Sequence, residues 1–272
     1  MIPYLAFTPF IMRTRGDASN YFSDSVDITE AEEFLREKRA QGLKGIGLLH
    51  LFVASYVRTV SQKPALNRYI CGQRAYARKN IEVVMTVKRS MSENAEETSI
   101  KVIFDPRDTI TDVYNRLNAA IESVKNNSTT DTDRVARTLI RTPRLILRFV
   151  VGLLNFLDYF NCMPGVILRA SPFHGSMIIT DIGSLGIPPI YHHLYNFGNL
   201  PLFISFGIKH RVRAIDTDGV VRERRYIDFK AVTDERITDG FTYAQCFKLL
   251  RGFVVHPRAL DLPPERVFAD VP

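Results

Sequence analysis

The sequence predicts one α/β sandwich, a mixed sheet with helices mainly on one face. Three observations carry this. Segments rich in β-branched residues alternate with segments of helical period along most of the chain. No internal repeat, low-complexity run or linker divides the 272 residues. The apolar share of 46% and the charged share of 24% are those of a chain able to fill one large core.

The elements follow in order. Tyr21 to Ile28 reads as a strand. Thr29 reads as the cap of a helix whose first turn carries Glu30, Glu32 and Glu33, and which stops at Gly42. Leu48 to Ser61 reads as a second helix. Its apolar positions wrap most of its surface, so it is expected to be buried, and Lys63-Pro64 ends it. Ile81–Val87 and Ser99–Phe104 read as paired strands, joined by a polar loop from Ser90 to Thr98. Asp108-Thr109 opens an amphipathic helix with Val113, Leu117, Ala120, Ile121 and Val124 on one face, and a polar loop from Asn126 to Asp133 follows.

The segment from Arg134 to Phe160 is unusual. Arg134, Arg137, Arg141, Arg144 and Arg148 recur every three or four residues, which places them on one helical stripe that Pro143 divides. Leu145 to Phe160 reads as a very apolar helix, too short and too charged to span a bilayer. The last third is mostly β. Met177–Thr180 and Leu202–Phe206 read as buried strands. Val212–Ile215 and Val220–Val232 flank the turn Asp216-Thr217-Asp218-Gly219, and Tyr243–Val255 reads as the final helix.

Charge and cysteine content narrow the function classes. The net charge of +7 favours anionic partners: nucleic acid, anionic lipid or a phosphate-bearing carrier. No base-reading element is present, so nucleic acid is not expected. Cys71, Cys162 and Cys246 are widely spaced, so neither a metal site nor a disulfide framework is expected. With no signal-peptide pattern at the N-terminus, these features suggest the cytoplasm.

The chemically informative unit is Thr233-Asp234-Glu235-Arg236-Ile237-Thr238-Asp239-Gly240, charged residues at a strand-to-helix junction. On pattern alone it could equally be an ordinary charged turn. It resembles the Asp-His-Arg-x-x-Asp-Gly motif of the dihydrolipoyl acyltransferase catalytic domain, with Glu235 where that family carries its catalytic histidine. Chloramphenicol acetyltransferases share the shorter His-x-x-x-Asp-Gly form. Upstream, Thr180-Asp181-Ile182-Gly183-Ser184-Leu185-Gly186-Ile187 resembles the family's Ser-Asn-Leu-Gly-x-x-Gly-Ile segment, which puts Thr180 on the oxyanion-stabilising hydroxyl. Pro64-Ala65-Leu66-Asn67 resembles Pro-x-Leu-Asn, and Arg13 and Arg15 stand where an N-terminal arginine pairs with the aspartate matched by Asp239. The likeness spans nearly the whole chain and is nearest to stand-alone bacterial members. It leaves 134–169 as an Arg-rich, apolar helical insertion.

The resemblance implies a chloramphenicol acetyltransferase-like fold, with sites shared between subunits of a homotrimer and trimers that can build cages. It also implies coenzyme A or an acyl-coenzyme A as substrate, and a lipoyl-bearing protein as a possible partner. Glu235, Thr180 and Asp239 become the catalytic candidates, and Arg13, Arg15, Arg236 and Gly240 their support. The glutamate alters the chemistry. Histidine titrates near 6.5 and glutamate near 4.3, so a glutamate base needs burial, which raises carboxyl pKa values to roughly 6–7 in apolar sites. Three readings stay open: Glu235 as a working base, an inactive site kept for a scaffold, or another base among His174, His192 and His193. For each histidine a structural role is the simpler reading. The arginine stripe could approach coenzyme A phosphates, lie on an anionic membrane with 134–160, or be a solvated face, which is the simplest reading. A second basic cluster, Lys209, His210, Arg211, Arg213, Arg222, Arg224 and Arg225, could gather on one face of the hairpin.

Overall fold

The computed structural model describes residues 3–88, 97–126, 140–215 and 217–270. Arg134, Arg137, the loop 127–133, most of the loop after Lys88 and Asp216 lie outside these residues. The elements run α1 (Pro3–Ile11), β1 (Ser19–Asp27), α2 (Thr29–Ala40), α3 (Leu48–Gln62), β2 (Arg68–Cys71), β3 (Arg74–Ala77), β4 (Ile81–Lys88), β5 (Glu97–Phe104) and α4 (Ile110–Asn126). Then come α5 (Arg144–Tyr159), α6 (Gly165–Ala170), β6 (Met177–Asp181), β7 (Leu202–Ile215), β8 (Val221–Asp234) and α7 (Gly240–Val255).

Six strands form one mixed sheet in the order β1-β8-β7-β6-β4-β5. β6 is parallel to both β4 and β7, and the other neighbours are antiparallel. One face carries the main core. There α2, α3, α4 and α7 cover Val83, Met85, Ile179, Ile204 and Phe229. As its wrap-around apolarity predicts, α3 is buried from Leu48 to Ser61 apart from Leu49. Phe52 stacks on Phe206 at 4.8 Å and meets Phe229 edge-on, a geometry that adds to area burial. On the opposite face Phe203 and Val232 pack under Leu194, from the segment between β6 and β7.

Several expectations need correction. Thr29 is not the cap of α2. The helix begins on it, and its N–H and hydroxyl both donate to Asp27 Oδ1, at 2.9 and 2.6 Å. The carboxylate at the end of β1 reaches forward to this orphan donor, which a threonine inside the first turn cannot do for itself. Leu202–Phe206 and Val212–Ile215 belong to one strand, interrupted by an irregularity between Phe206 and Lys209. Beyond it, β7 and β8 run on as a two-stranded ribbon from Arg211↔Arg225 to Ile215↔Val221, past the end of β1 at Tyr226. The ribbon register splits the second basic cluster. Lys209, Arg211, Arg213 and Arg225 share one face, and His210, Arg222 and Arg224 the other. Carboxylates intervene: Glu32 binds Lys209 and Arg225, Glu223 binds Arg211, Asp27 binds Arg224, and Asp218 binds Arg222. Helices α1 and α6 and the β2–β3 hairpin carry no signal the sequence reading used.

Candidate active site

Glu235 opens a short 3-10 turn, Glu235–Ile237, directly after β8. Its backbone N–H donates to Ala18 O at 2.8 Å, and its side chain is exposed in the single chain. The two flanking residues point inward. Asp234 is 1% exposed and takes both arms of Arg236, Nε at 2.8 Å and Nη2 at 2.6 Å. Arg236 Nη1 donates to Met12 O at 3.1 Å, so the guanidinium ties the β8 end to the segment after α1. Its fork is therefore spent on Asp234.

Arg15 completes this buried cluster. Its Nε lies 3.8 Å from Asp234 Oδ2, and Nη1 donates to the carbonyls of Tyr195 and Asn196 at 2.9 Å each. Burial pushes its guanidinium down to about 10, against the attraction of Asp234. The arginine–Asp239 pair implied by resemblance is not formed. Asp239 instead caps α7, accepting from Thr242 N at 2.8 Å and Thr242 Oγ1 at 3.0 Å, and the Thr242 amide holds its carboxyl below the usual range. The partner of Arg15 is Asp234, because β1 begins where β8 ends, with Ser19 opposite Asp234. Arg13 is exposed and lends only its carbonyl to Arg236, at 3.5 Å. Gly240 is the first residue of α7, where an added Cβ would meet open space.

Thr180 sits near the end of β6, opposite Ser205 of β7. The turn after it needs its glycines. Gly186 has φ +77°, and a Cβ on Gly183 would lie 2.2 Å from Gly207 O, so the turn presses against the β7 irregularity. Thr180 lines a cavity of about 590 Å³ together with Phe173, Ile178, His192, Tyr195 and Phe203. A second cavity of about 760 Å³, reached past Asp181 and Ser184, is lined by Arg36, Arg39, Lys209 and Arg225, with Glu32 and Glu33 offsetting much of their charge. Burial raises the Asp181 carboxyl.

The three histidines differ. His174 is 1% exposed, with Nδ1 2.7 Å from Ser171 Oγ and Nε2 3.2 Å from Asp158 Oδ1. Both nitrogens are engaged, so it is a structural residue holding the end of α5. His193 is exposed and stacks on His192. His192 lies flat on Phe203, with ring centroids 4.6 Å apart. Its Nδ1 is 2.8 Å from His193 O. A carbonyl only accepts, so Nδ1 carries the proton, and in the neutral ring Nε2 keeps a free lone pair. Tyr195, Phe173 and Phe203 were missed by sequence reasoning; for Tyr195 the aromatic run from Tyr191 to Phe197 was the signal available.

Thr180 and Glu235 do not meet within one chain. Thr180 is opposite Ser205, and Ser205 is opposite Lys230. Two strand spacings of about 4.8 Å and the rise from Lys230 to Glu235, about 3.3 Å per residue, separate them by about 19 Å.

No family model and no curated protein matches the chain. Solved structures do. A probable dihydrolipoamide acetyltransferase from Listeria monocytogenes superposes with a TM-score of 0.61 at 12% identity, over 90% of this chain and 89% of that one. The fold is the one these solved structures share. The cubic core of a pyruvate dehydrogenase multienzyme complex gives 0.56 at 14% identity over 95% and 89%. A chloramphenicol acetyltransferase gives 0.53 at 12% over 92% and 93%. The chloramphenicol acetyltransferase-like fold expected from the sequence is thus observed; identities this low show the fold alone.

Proposed function

We propose that the chain is an acyltransferase that moves an acyl group from a coenzyme A thioester to a thiol or hydroxyl acceptor. The observation that carries this reading is Thr180, a hydroxyl on the wall of a largely apolar cavity at the end of the parallel strands. Thr180 donates to the oxyanion of the tetrahedral intermediate, where a placed donor counts most. The acyl group occupies the cavity beside Phe203 and Ile178. The carrier extends past Asp181 and Ser184 toward Arg36, Arg39 and Lys209. The 19 Å gap supports a site completed by a neighbouring copy, with Glu235 entering in trans as the base and becoming buried there. A homotrimer provides that arrangement, and the cubic-core neighbour motivates a search for cages of trimers and for a lipoyl-bearing partner.

One observation favours a second reading of the base. His192 lines the same cavity as Thr180 in the same chain, with Nε2 free to accept a proton.

Complementation separates the two. Thr180→Ala is expected to lower kcat by about 10²–10³. Glu235→Gln subunits mixed with Thr180→Ala subunits regain activity if Glu235 acts in trans. If Glu235→Gln alone keeps full turnover and His192→Gln loses it, His192 is the base. If no acyl-coenzyme A shifts the melting temperature or is turned over, the acyltransferase reading falls and a trimeric scaffold replaces it.

A further inference from the structure

Helix α5 is out of keeping with the rest of the domain. It is amphipathic, yet none of its residues is buried. At about 100° per residue its side chains fall into three stripes. Leu147, Val150, Leu154 and Leu157 are half-buried against the body. Arg144, Arg148 and Asn155 make a narrow polar stripe. Alongside runs an outward apolar stripe: Leu145 is 83% exposed, Phe149 71%, Leu153 46%, Phe156 61% and Phe160, just past the helix, 57%. A solvated helix would not present this row to water, because each such side chain forgoes about 1.5–3 kcal/mol of burial.

The charges beside it say what covers it. Arg141, Arg144 and Arg148 are exposed, and among the described residues none has an ion-pair partner. Within α5 the only acid is Asp158, already committed to His174. A row of unpaired guanidinium groups along an apolar stripe matches the phosphate and acyl levels of an anionic bilayer, with the arginine stems lying on the apolar side chains. No described helix is long and apolar enough to cross a membrane, so α5 would lie in the interface plane.

We infer that α5 docks the protein on an anionic lipid surface, Leu145, Phe149, Leu153, Phe156 and Phe160 entering below the headgroups and Arg141, Arg144 and Arg148 meeting their phosphates. The inference is independent of the catalytic reading.

The chain has no tryptophan, so Phe149→Trp is a single reporter on the stripe. With vesicles of phosphatidylcholine plus phosphatidylglycerol its emission should shift to the blue, and the protein should co-sediment. Phosphatidylcholine alone should give neither effect. Arg144→Gln and Arg148→Gln should each weaken binding about fivefold, the equivalent of about 1 kcal/mol per charge, and salt should weaken the parent likewise. Phe149→Asp with Phe156→Asp should abolish binding with the circular dichroism spectrum unchanged. Equal binding to neutral vesicles, or none to either, overturns the inference. So does a parent that ignores vesicles but dissociates to monomers on the double Asp substitution, since the stripe then belongs to a second copy.

Discussion

Helices α3 and α5 are nearly equal in length, 15 and 16 residues, and both are predominantly apolar. Their fates are opposite. α3 lies under the sheet, and several of its polar groups find partners there: Thr59 donates to Ser55 O at 2.7 Å, Ser61 to Arg58 O at 2.7 Å and Tyr56 to Ser176 O at 3.3 Å. α5 leaves the body along one whole side and is fastened chiefly at its C-terminal end. There His174 holds Asp158, the Cys71 thiol donates to Asp158 O at 2.6 Å, and Tyr159 donates to Gln73 Oε1 at 3.1 Å. Apolar content therefore does not decide burial. What decides it is whether a strand face of matching length is left for the helix to cover, and α2, α3, α4 and α7 already occupy that face.

Substitutions can break this contrast, and the largest effect belongs to α3. Phe52→Ala should cost about 3–5 kcal/mol, by loss of transfer energy and creation of a cavity between Phe206 and Phe229. Chemical denaturation reads this as a lower midpoint; a loss near zero would mean the core can collapse onto the gap. The next effect is local. His174→Ala strands the Asp158 carboxylate and the Ser171 hydroxyl, at about 1–3 kcal/mol. Hydrogen exchange should quicken from α5 to α6 while α3 keeps its protection; uniform loss would make this segment an integral part of the core.

A third test uses pH. Lys101 donates to Leu168 O at 2.5 Å and ties α6 to β5, and burial pushes its ammonium down from 10.5 to about 8, opposed by Glu82. Its folded pKa is lowered, so between about pH 8 and 10.5 the unfolded chain holds more protons and stability rises with pH. Lys101→Met should lose that rising limb in urea titrations across this range. The smallest effect is Phe156→Ser, within about 0.5 kcal/mol for the isolated chain, as an exposed position implies; a larger loss would place Phe156 in a contact between copies.

The sheet was legible because its strands carry their own signal. Ile81–Val87 and Leu202–Phe206 are rich in apolar and β-branched residues, and Asp218-Gly219 marks the ribbon turn. The candidate site was legible through resemblance: Thr180 and Glu235 fall on positions of the acyltransferase motifs. Their separation was not, since it depends on which strands become neighbours. Nor was the choice of Asp234 over Asp239 by Arg15, which follows from β1 beginning beside the end of β8. Pro3–Ile11 and Arg68–Ala77 escaped notice because the first contains Pro9 and the second consists of strands of four residues each.

The ribbon that β7 and β8 form beyond the body has a consequence for the protein's behaviour at high concentration. Arg225 still gives its N–H to Thr29 Oγ1 and its carbonyl to Ile28 N, but past it the ribbon edges run beyond the neighbouring strands β1 and β6, and a strand edge is the template on which chains add to one another as fibrils. Arg211, Arg213, Arg222, Glu223 and Arg224 line this stretch, and each must shed water or face a like charge before another strand can pair there. The charges that look like a ligand cluster in the sequence thus act as gatekeepers against self-templating. Replacing Arg211, Arg222 and Arg224 with threonine should leave the fold in place and shorten the lag before thioflavin-positive aggregates form.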